Sequence, residues 1–369
     1  MKFDSFLRIL ITGVIVLSSL TIVSLIPIVT QSSIGLLSGG VATFPQAAAF
    51  VPRQVPAMVS LLVNPEKLYG IRQASLPLSR RRSDRQQWQQ WLRDNTSKIG
   101  LDYQQLKPWL GDEITLAFTA LDYDRDPDNG LQPGYLFTAE AKNTSLAKEY
   151  LNNLFSKQNI STQKYQGANI IAVANPLNPK SKIRAGALVG NFILLANQPQ
   201  IIREAVGRAQ AVDLNLEHSD NYQQAIAQIQ QPHIAIAYAD LSQTTAWLNK
   251  STIVEPSNNR YLSAFSSIER DLAVQSALIG VPQTEALQTY KSLLNNAELE
   301  QIIDSLVLEG NTYIDLTENA ALLKDQIPLY TITKLAIARL FPHLEAISVK
   351  NQGDRDSISR TKILFKLDA

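Results

Sequence analysis

A chain of 369 residues, 45% apolar and 18% charged, is long enough for two folded domains and too polar for a polytopic membrane protein. Its 34 Lys and Arg against 33 Asp and Glu leave a net charge of +1, which removes the basic footprint that nucleic-acid binding needs. With no cysteine and three histidines, the sequence excludes disulfides, thiolate metal sites, iron–sulfur clusters, thiol catalysis and acylation at a cysteine.

No charge occurs between Arg8 and Arg53, and within that gap the 21 residues Ile9 to Val29 are predominantly apolar. A helix rising about 1.5 Å per residue crosses the hydrocarbon in roughly 20 residues, so this length predicts a transmembrane helix. It favours an uncleaved anchor over a cleaved signal peptide, whose apolar region is shorter; the cleaved signal is the alternative. Lys2 and Arg8 precede the stretch and no basic residue follows it before Arg53, which predicts a cytoplasmic amino terminus and a body across the membrane. Gln31 to Ala49, rich in Gly, Ser and Ala, reads as a linker. The body from Arg53 onward then carries 32 basic and 32 acidic residues.

Along the body, apolar strand-like runs are followed by helix-start residues. Met58 to Val63 precedes Asn64-Pro65-Glu66, Tyr135 to Ala141 precedes Asn143-Thr144-Ser145, and Phe192 to Ala196 precedes Asn197. Ile234 to Ala239 precedes Asp240, Ala277 to Val281 precedes Pro282, and Tyr313 to Leu316 precedes Thr317. After Asn143, Leu146, Tyr150, Leu151, Leu154 and Phe155 form an apolar helical stripe. Glu113 to Asp122 predicts a hairpin with Tyr135 to Ala141, Ser161 to Ala174 a strand before Arg184 to Ala196, and Leu344 to Val349 a closing hairpin with Ser357 to Leu367.

From Tyr135 to Asp240 the order strand, helix, strand, strand, helix, strand is that of a ferredoxin-like unit. The expectation is an α+β protein: an N-terminal transmembrane helix followed by two antiparallel-sheet modules with helices on one face. The corresponding division is residues 1–30 for tip and anchor, 31–52 for the linker, 53–245 for the first module and 246–369 for the second.

Three phrases carry a family likeness: Phe50 to Leu68 (FVPRQVPAMVSLLVNPEKL), Leu106 to Phe137 with its Asp-rich DYDRDPDNG, and Leu188 to Val206 (LVGNFILLANQPQIIREAV). Over roughly residues 50–245 the chain resembles a cyanobacterial family of membrane-anchored proteins classified as a domain of unknown function. The resemblance implies a body facing the periplasm or the thylakoid lumen, and it implies no reaction and no catalytic residue.

Asp124, Asp126 and Asp128 alternate along the loop after Asp122, a spacing that aims several oxygens at one hard cation, so calcium is the candidate cofactor. Counted from Asp124, however, the sixth and twelfth EF-hand positions hold Asn129 and Tyr135 instead of Gly and Glu. A solvated hairpin loop with Asp-Pro and Asn-Gly turns accounts better for the segment. Arg80, Arg81, Arg82 and Arg85, with Trp88 and Trp91, are candidate contacts for anionic headgroups or an acidic partner, against a core role for the tryptophans at helical spacing. Ser83 and Gln86 are spaced as a capping box. His218, His233 and His343 have no ligand-spaced partner, and the 16 glycines form no phosphate-binding loop and no Gly-x-Ser-x-Gly.

The functional expectation is a non-catalytic interaction protein, held in the membrane by Ile9 to Val29 and acting with a protein partner in a membrane complex. The alternatives are an exported metal-dependent hydrolase using the aspartate loop, and a small-ligand-binding module.

Overall fold

The structure is a computed structural model that describes residues 41–67, 69, 78–98, 100–124, 126, 128, 132–156, 158–175, 183–229, 232–240, 242–243, 261–268, 272–279, 311–315, 344–353 and 358–367. The predicted anchor at 9–29 lies outside these residues, as do His343, the helix starts after Val281 and Leu316, and the turn at 354–356. Among the described residues no helix is long and apolar enough to cross a membrane.

The chain forms mixed helix and antiparallel sheet in two compact units, one made of the described residues within Thr43–Glu66 and Leu76–Gln223, the other of the described residues within Met1–Ala42, Lys67–Ser75 and Gln224–Ala369. The first unit opens with a 3₁₀ helix, η1 (Gln46–Phe50), and strand β1 (Ala57–Leu61). Next come helices α1 (Leu78–Lys98) and α2 (Tyr103–Leu106) and the hairpin β2 (Leu110–Ala120) and β3 (Gly134–Ala141). Helix α3 (Thr144–Phe155) leads into β4 (Asn159–Tyr165), β5 (Ala168–Asn175), β6 (Ala185–Val189) and β7 (Phe192–Ala196). Then follow α4 (Pro199–Gln210), the 3₁₀ turn η2 (Val212–Leu214) and α5 (Asp220–Ile226).

Strand order in the first unit is β1-β2-β3-β7-β6-β5-β4, and its pairings are antiparallel. This corrects the ferredoxin-like expectation. Each segment read as one long strand is a hairpin: Gln166 (φ 46°) and Gly167 (φ 83°) break the first, and Gly190 (φ 58°) breaks the second. Both turns have two residues, Tyr165 pairing with Ala168 and Val189 with Phe192, the geometry that positive φ makes compatible with strand twist. After α3 the chain therefore meanders through four strands and returns β7 beside β3. Gln166 is the described non-glycine residue with positive φ, a conformation costing an L-residue about 1–2 kcal/mol. Gln166→Gly is expected to raise the unfolding free energy by about 0.5–1 kcal/mol in urea denaturation, the relief exceeding glycine's entropy cost.

The helices do not share one face, which corrects the second part of the fold expectation. A Cβ at Gly134 would meet Ile201 of α4 at 3.0 Å, whereas one at Gly186 would meet Leu151 of α3 at 2.8 Å and Phe155 at 3.0 Å. Gly186 stands opposite Leu195, and Leu195 opposite Phe137. Phe137 lies three residues from Gly134, an odd step, so it points to the other side of the sheet. With a helix against each face, β7 is buried along its whole length, which explains the uninterrupted apolar run FILLA.

Local signals behave as their chemistry dictates where nothing competes. The Asn143 side chain accepts the Leu146 amide at 3.1 Å and caps α3, and Asn64 Oδ1 accepts the Glu66 amide at 2.9 Å. The buried stripe of α3 is Ala147, Tyr150, Leu151 and Phe155, while Leu146 is 40% exposed. Asn197 does not cap α4. Its side chain accepts the Tyr135 amide and donates to the Pro133 carbonyl, both at 2.8 Å, so it ties the end of β7 to the start of β3. The helix starts instead at Pro199, which sits in the first turn. The capping box at Ser83 is also overridden, because α1 begins at Leu78 and carries Ser83 inside the helix.

In the second unit β8 (Ala235–Asp240), β9 (Tyr261–Ile268), β10 (Leu272–Ile279), β11 (Asn311–Asp315), β12 (Leu344–Gly353) and β13 (Ile358–Leu367) run in the order β11-β12-β13-β10-β9-β8. The closing hairpin is β12 with β13, paired from Leu344 opposite Leu367 to Gly353 opposite Ser359.

Candidate functional site

A buried polar cluster sits on β2 under η1. Glu113, 6% exposed, accepts the backbone amides of Gln46 at 2.9 Å and Ala47 at 2.8 Å, the first N–H groups of η1. The Thr115 hydroxyl donates to the same carboxylate at 3.3 Å, and Ser60 Oγ lies 2.7 Å from Thr115 Oγ1, so a chain of hydroxyls runs from β1 into Glu113. Ala47 and Ala48 are fully buried above it. Thus the charge-poor stretch taken as a linker is, from residue 43 onward, part of the packed first unit.

A bulge shapes this end of β2. Pairing with β3 jumps from Leu110 to Ile114, which leaves the amides of Asp112 and Glu113 without ladder partners. Glu140 supplies them: its carboxylate accepts both amides, at 3.2 and 3.3 Å, and the Asn191 side-chain amide at 3.3 Å. A side chain at Gly111 would crowd this arrangement, since a Cβ would sit 3.0 Å from both the Glu140 carbonyl and a carboxylate oxygen.

Burial pushes the Glu113 carboxyl above its ordinary value, and the neighbouring Glu140 charge adds to the rise, while the two amides and Thr115 oppose it. The Tyr222 hydroxyl of α5, wholly buried, is pushed up by burial and by the Glu113 and Glu217 charges. Carboxylates already filled by backbone amides are suited to holding chain in place. A second set works similarly: Glu66 accepts the Tyr103 hydroxyl at 3.0 Å and pairs with Lys107 at 2.9 Å, tying β1's end to α2.

The residues singled out in the sequence do not join this cluster. Asp124, Asp126 and Asp128 are exposed, with Asp124 accepting the Asp126 amide at 3.3 Å and Asp126 the Asp128 amide at 3.0 Å. Among the described residues no group of three or more His, Asp or Glu is placed to hold a metal ion. The loop is closed at its base by the Tyr123 amide on the Gln132 carbonyl and the Gln132 amide on Asp122. Arg80, Arg81, Arg82 and Arg85 occupy the first turns of α1; Arg82 and Arg85 are exposed, while Trp88 and Leu92 are buried. His218 accompanies Asn215 at 3.0 Å on the surface, and His233, fully buried, exchanges both backbone hydrogen bonds with Val41.

Residues 10–281 match the family described as "Protein of unknown function (DUF3352)". This chain belongs to that family. The match reaches beyond the 50–245 stretch at both ends and begins inside the apolar segment. No curated protein sequence matches the chain. "Structure of crystal form I of TP0453" is 8% identical, covering 89% of this chain and 94% of that one with a TM-score of 0.35. "Structure of crystal form III of TP0453" is 9% identical, covering 88% and 94% at 0.35, and "Structure of crystal form IV of TP0453" is 9% identical, covering 67% and 84% at 0.33. Likeness at these scores assigns neither fold nor function.

Sequence reasoning passed over Glu113, Glu140, Ser60, Thr115 and Tyr222 for an identifiable reason. Glu113, Thr115 and Thr119 alternate with Ile114, Leu116 and Phe118, which reads as a polar face turned to water. In the fold Glu113 and Thr115 are buried while Ile114 and Leu116 are half-buried. The usable signal is the uncharged AAAF run that begins at Ala47, 66 residues before Glu113, a cover with backbone amides but no polar side chain to satisfy them.

Proposed function

We propose that this protein is a non-catalytic interaction protein of a cyanobacterium, tethered in a membrane by residues 9–29. Its amino terminus is cytoplasmic, and its body lies on the periplasmic or thylakoid-lumenal side, where it contacts a membrane complex or assists its assembly. The observation that carries this reading is where the buried polar chemistry is spent. Glu113 holds the amides of η1, Asn64 donates to the carbonyls of Leu110 and Gly111, and Asp240 accepts the Gln243 amide. Side chains of catalytic type are thus committed to the fold's own backbone, which leaves recognition to the surface. The uncharged gap up to Arg53 and the likeness to a membrane-anchored family support the tether.

Affinity capture of the tagged full-length chain from detergent-solubilised membranes tests it. The expected result is a carbonate-resistant membrane fraction and a membrane protein recovered in fixed ratio with the chain. A chain that elutes alone at native abundance overturns the interaction reading.

A further inference from the structure

We infer that the exposed face of α1 docks on an anionic phospholipid bilayer, the one that the proposed tether occupies; the identity of the partner rests on that tether. Helix α1 holds Arg80, Arg81, Arg82, Arg85, Arg93 and Lys98 against Asp84 and Asp94, a surplus of four positive charges in a body that is neutral as a whole. Burial fixes the rotation of the helix. Asp84, Trp88 and Leu92 are 7%, 4% and 5% exposed, so the inward face takes one of the two acids with it. At 100° per residue, Arg82, Gln86, Gln90 and Arg93 fall together on the opposite side, and all four are exposed.

Among the described side chains that side carries no acid. Arg93 donates to the Gln90 side chain at 2.8 Å, a neutral partner, and among the described residues neither Arg82 nor Arg93 has an acidic one. Arg81 and Arg85 are engaged within the chain, so Arg82 and Arg93 carry the argument. Ser83, Gln86, Gln87 and Gln90 offer nothing to insert into hydrocarbon. The face is therefore suited to the headgroup level, held by charge alone and released by salt.

A bilayer is favoured over an acidic protein by the length of chain between tether and body. Thirteen residues separate Val29 from Thr43, where the unit that holds α1 begins, a reach of roughly 48 Å at full extension. That unit is thus held beside a surface at high effective concentration. A basic residue near an anionic surface is worth about a fivefold gain in partition, so two give about 25-fold. This is weak for a free protein and ample for a tethered one.

The chain has no cysteine, so Gln86→Cys on α1 and Ser161→Cys on the exposed β4 each provide a single labelling position. The full-length chain is placed in vesicles of phosphatidylcholine alone or mixed with phosphatidylglycerol, and the label is read by quenching from headgroup-level spin-labelled lipid. Quenching at position 86 is expected to be several-fold stronger on anionic than on neutral vesicles, absent at 161, abolished by high salt, and returned to the neutral level by Arg82→Gln with Arg93→Gln. Equal quenching on both vesicle types, or no change in the double variant, overturns the proposal. So does a position 86 that cross-links to an acidic protein and is indifferent to lipid charge. Flotation with neutral vesicles through alkaline carbonate tests the tether separately. A chain that floats without charge-dependent quenching keeps the tether and loses the docking face, and one that washes off neutral vesicles yet is quenched on anionic ones does the reverse.

Discussion

Glu113→Ala is expected to lower the unfolding free energy by about 2–3 kcal/mol, because it leaves the buried Ala47 amide and the partly buried Gln46 amide without an acceptor. The loss is local first. Hydrogen exchange at Ala47 and Ala48 should accelerate by about 30-fold or more, while the β6–β7 hairpin keeps its protection. Glu113→Gln retains one acceptor oxygen in the same place and is expected to cost less than Ala. A variant with unchanged exchange at Ala47 would show that η1 is held by apolar burial alone.

The same residue sets a pH dependence whose sign is opposite to that of an ordinary salt-bridged carboxylate. Burial raises the folded-state value of Glu113 above the 4.5 of an unperturbed glutamate, so between those two values the folded chain binds more protons than the unfolded one. Its contribution to stability is fully present below the unfolded value and is lost as pH rises through the folded one. Asp240, raised chiefly by burial, acts in the same direction. The melting temperature should therefore rise as pH is lowered through the raised folded value toward the unperturbed 4.5, and Glu113→Gln should flatten part of that slope. A wild-type melting temperature that falls steadily over this range would contradict the assignment.

Phe155→Ala is expected to cost about 3–5 kcal/mol, since the ring is fully buried between α3 and β6. The contact is tight enough to exclude a methyl group: a Cβ at Gly186 would meet Leu151 and Leu195 at 2.8 Å and Phe155 at 3.0 Å. Gly186→Ala alone should cost about 1–3 kcal/mol through overpacking. The pair is the sharper test. Phe155→Leu removes the ring that the methyl added by Gly186→Ala would strike, so the double variant should be less destabilised than the two single costs added, by at least about 0.5 kcal/mol. Additive costs from chemical denaturation would mean that Leu151 and Leu195, and not the Phe155 ring, resist the added methyl group.

Much of the fold was legible in the sequence, for reasons that lie within a few residues of each element. Glu113 to Asp122 and Tyr135 to Ala141 alternate as strands do and pair as β2 and β3. Asn143 precedes an amphipathic run and caps α3. The glycines at 167 and 190 were visible as turn signals, yet each sits in a longer strand-like run that masks it, and reading through them produced the ferredoxin-like order. Of the candidate sites, the aspartate loop and the arginines of α1 could be picked out because their charge is concentrated locally. Glu113 could not, because an isolated Glu among Thr and Ala on one face of a strand is the pattern of a wetted surface.

The sequence by itself determined the mixed α+β class, the β2–β3 hairpin, the capped start of α3, the 21-residue apolar stretch and the want of any disulfide staple. These follow from backbone period and side-chain chemistry, which act over one or two turns. Only the tertiary structure decided the strand order, the placing of α3 and α4 on opposite faces, and the burial of the polar row of β2. Those outcomes turn on contacts such as Ala47 with Glu113, 66 residues apart, whose energy depends on which surface the rest of the chain leaves uncovered. A local pattern states what a residue can satisfy, and the fold decides what it has to.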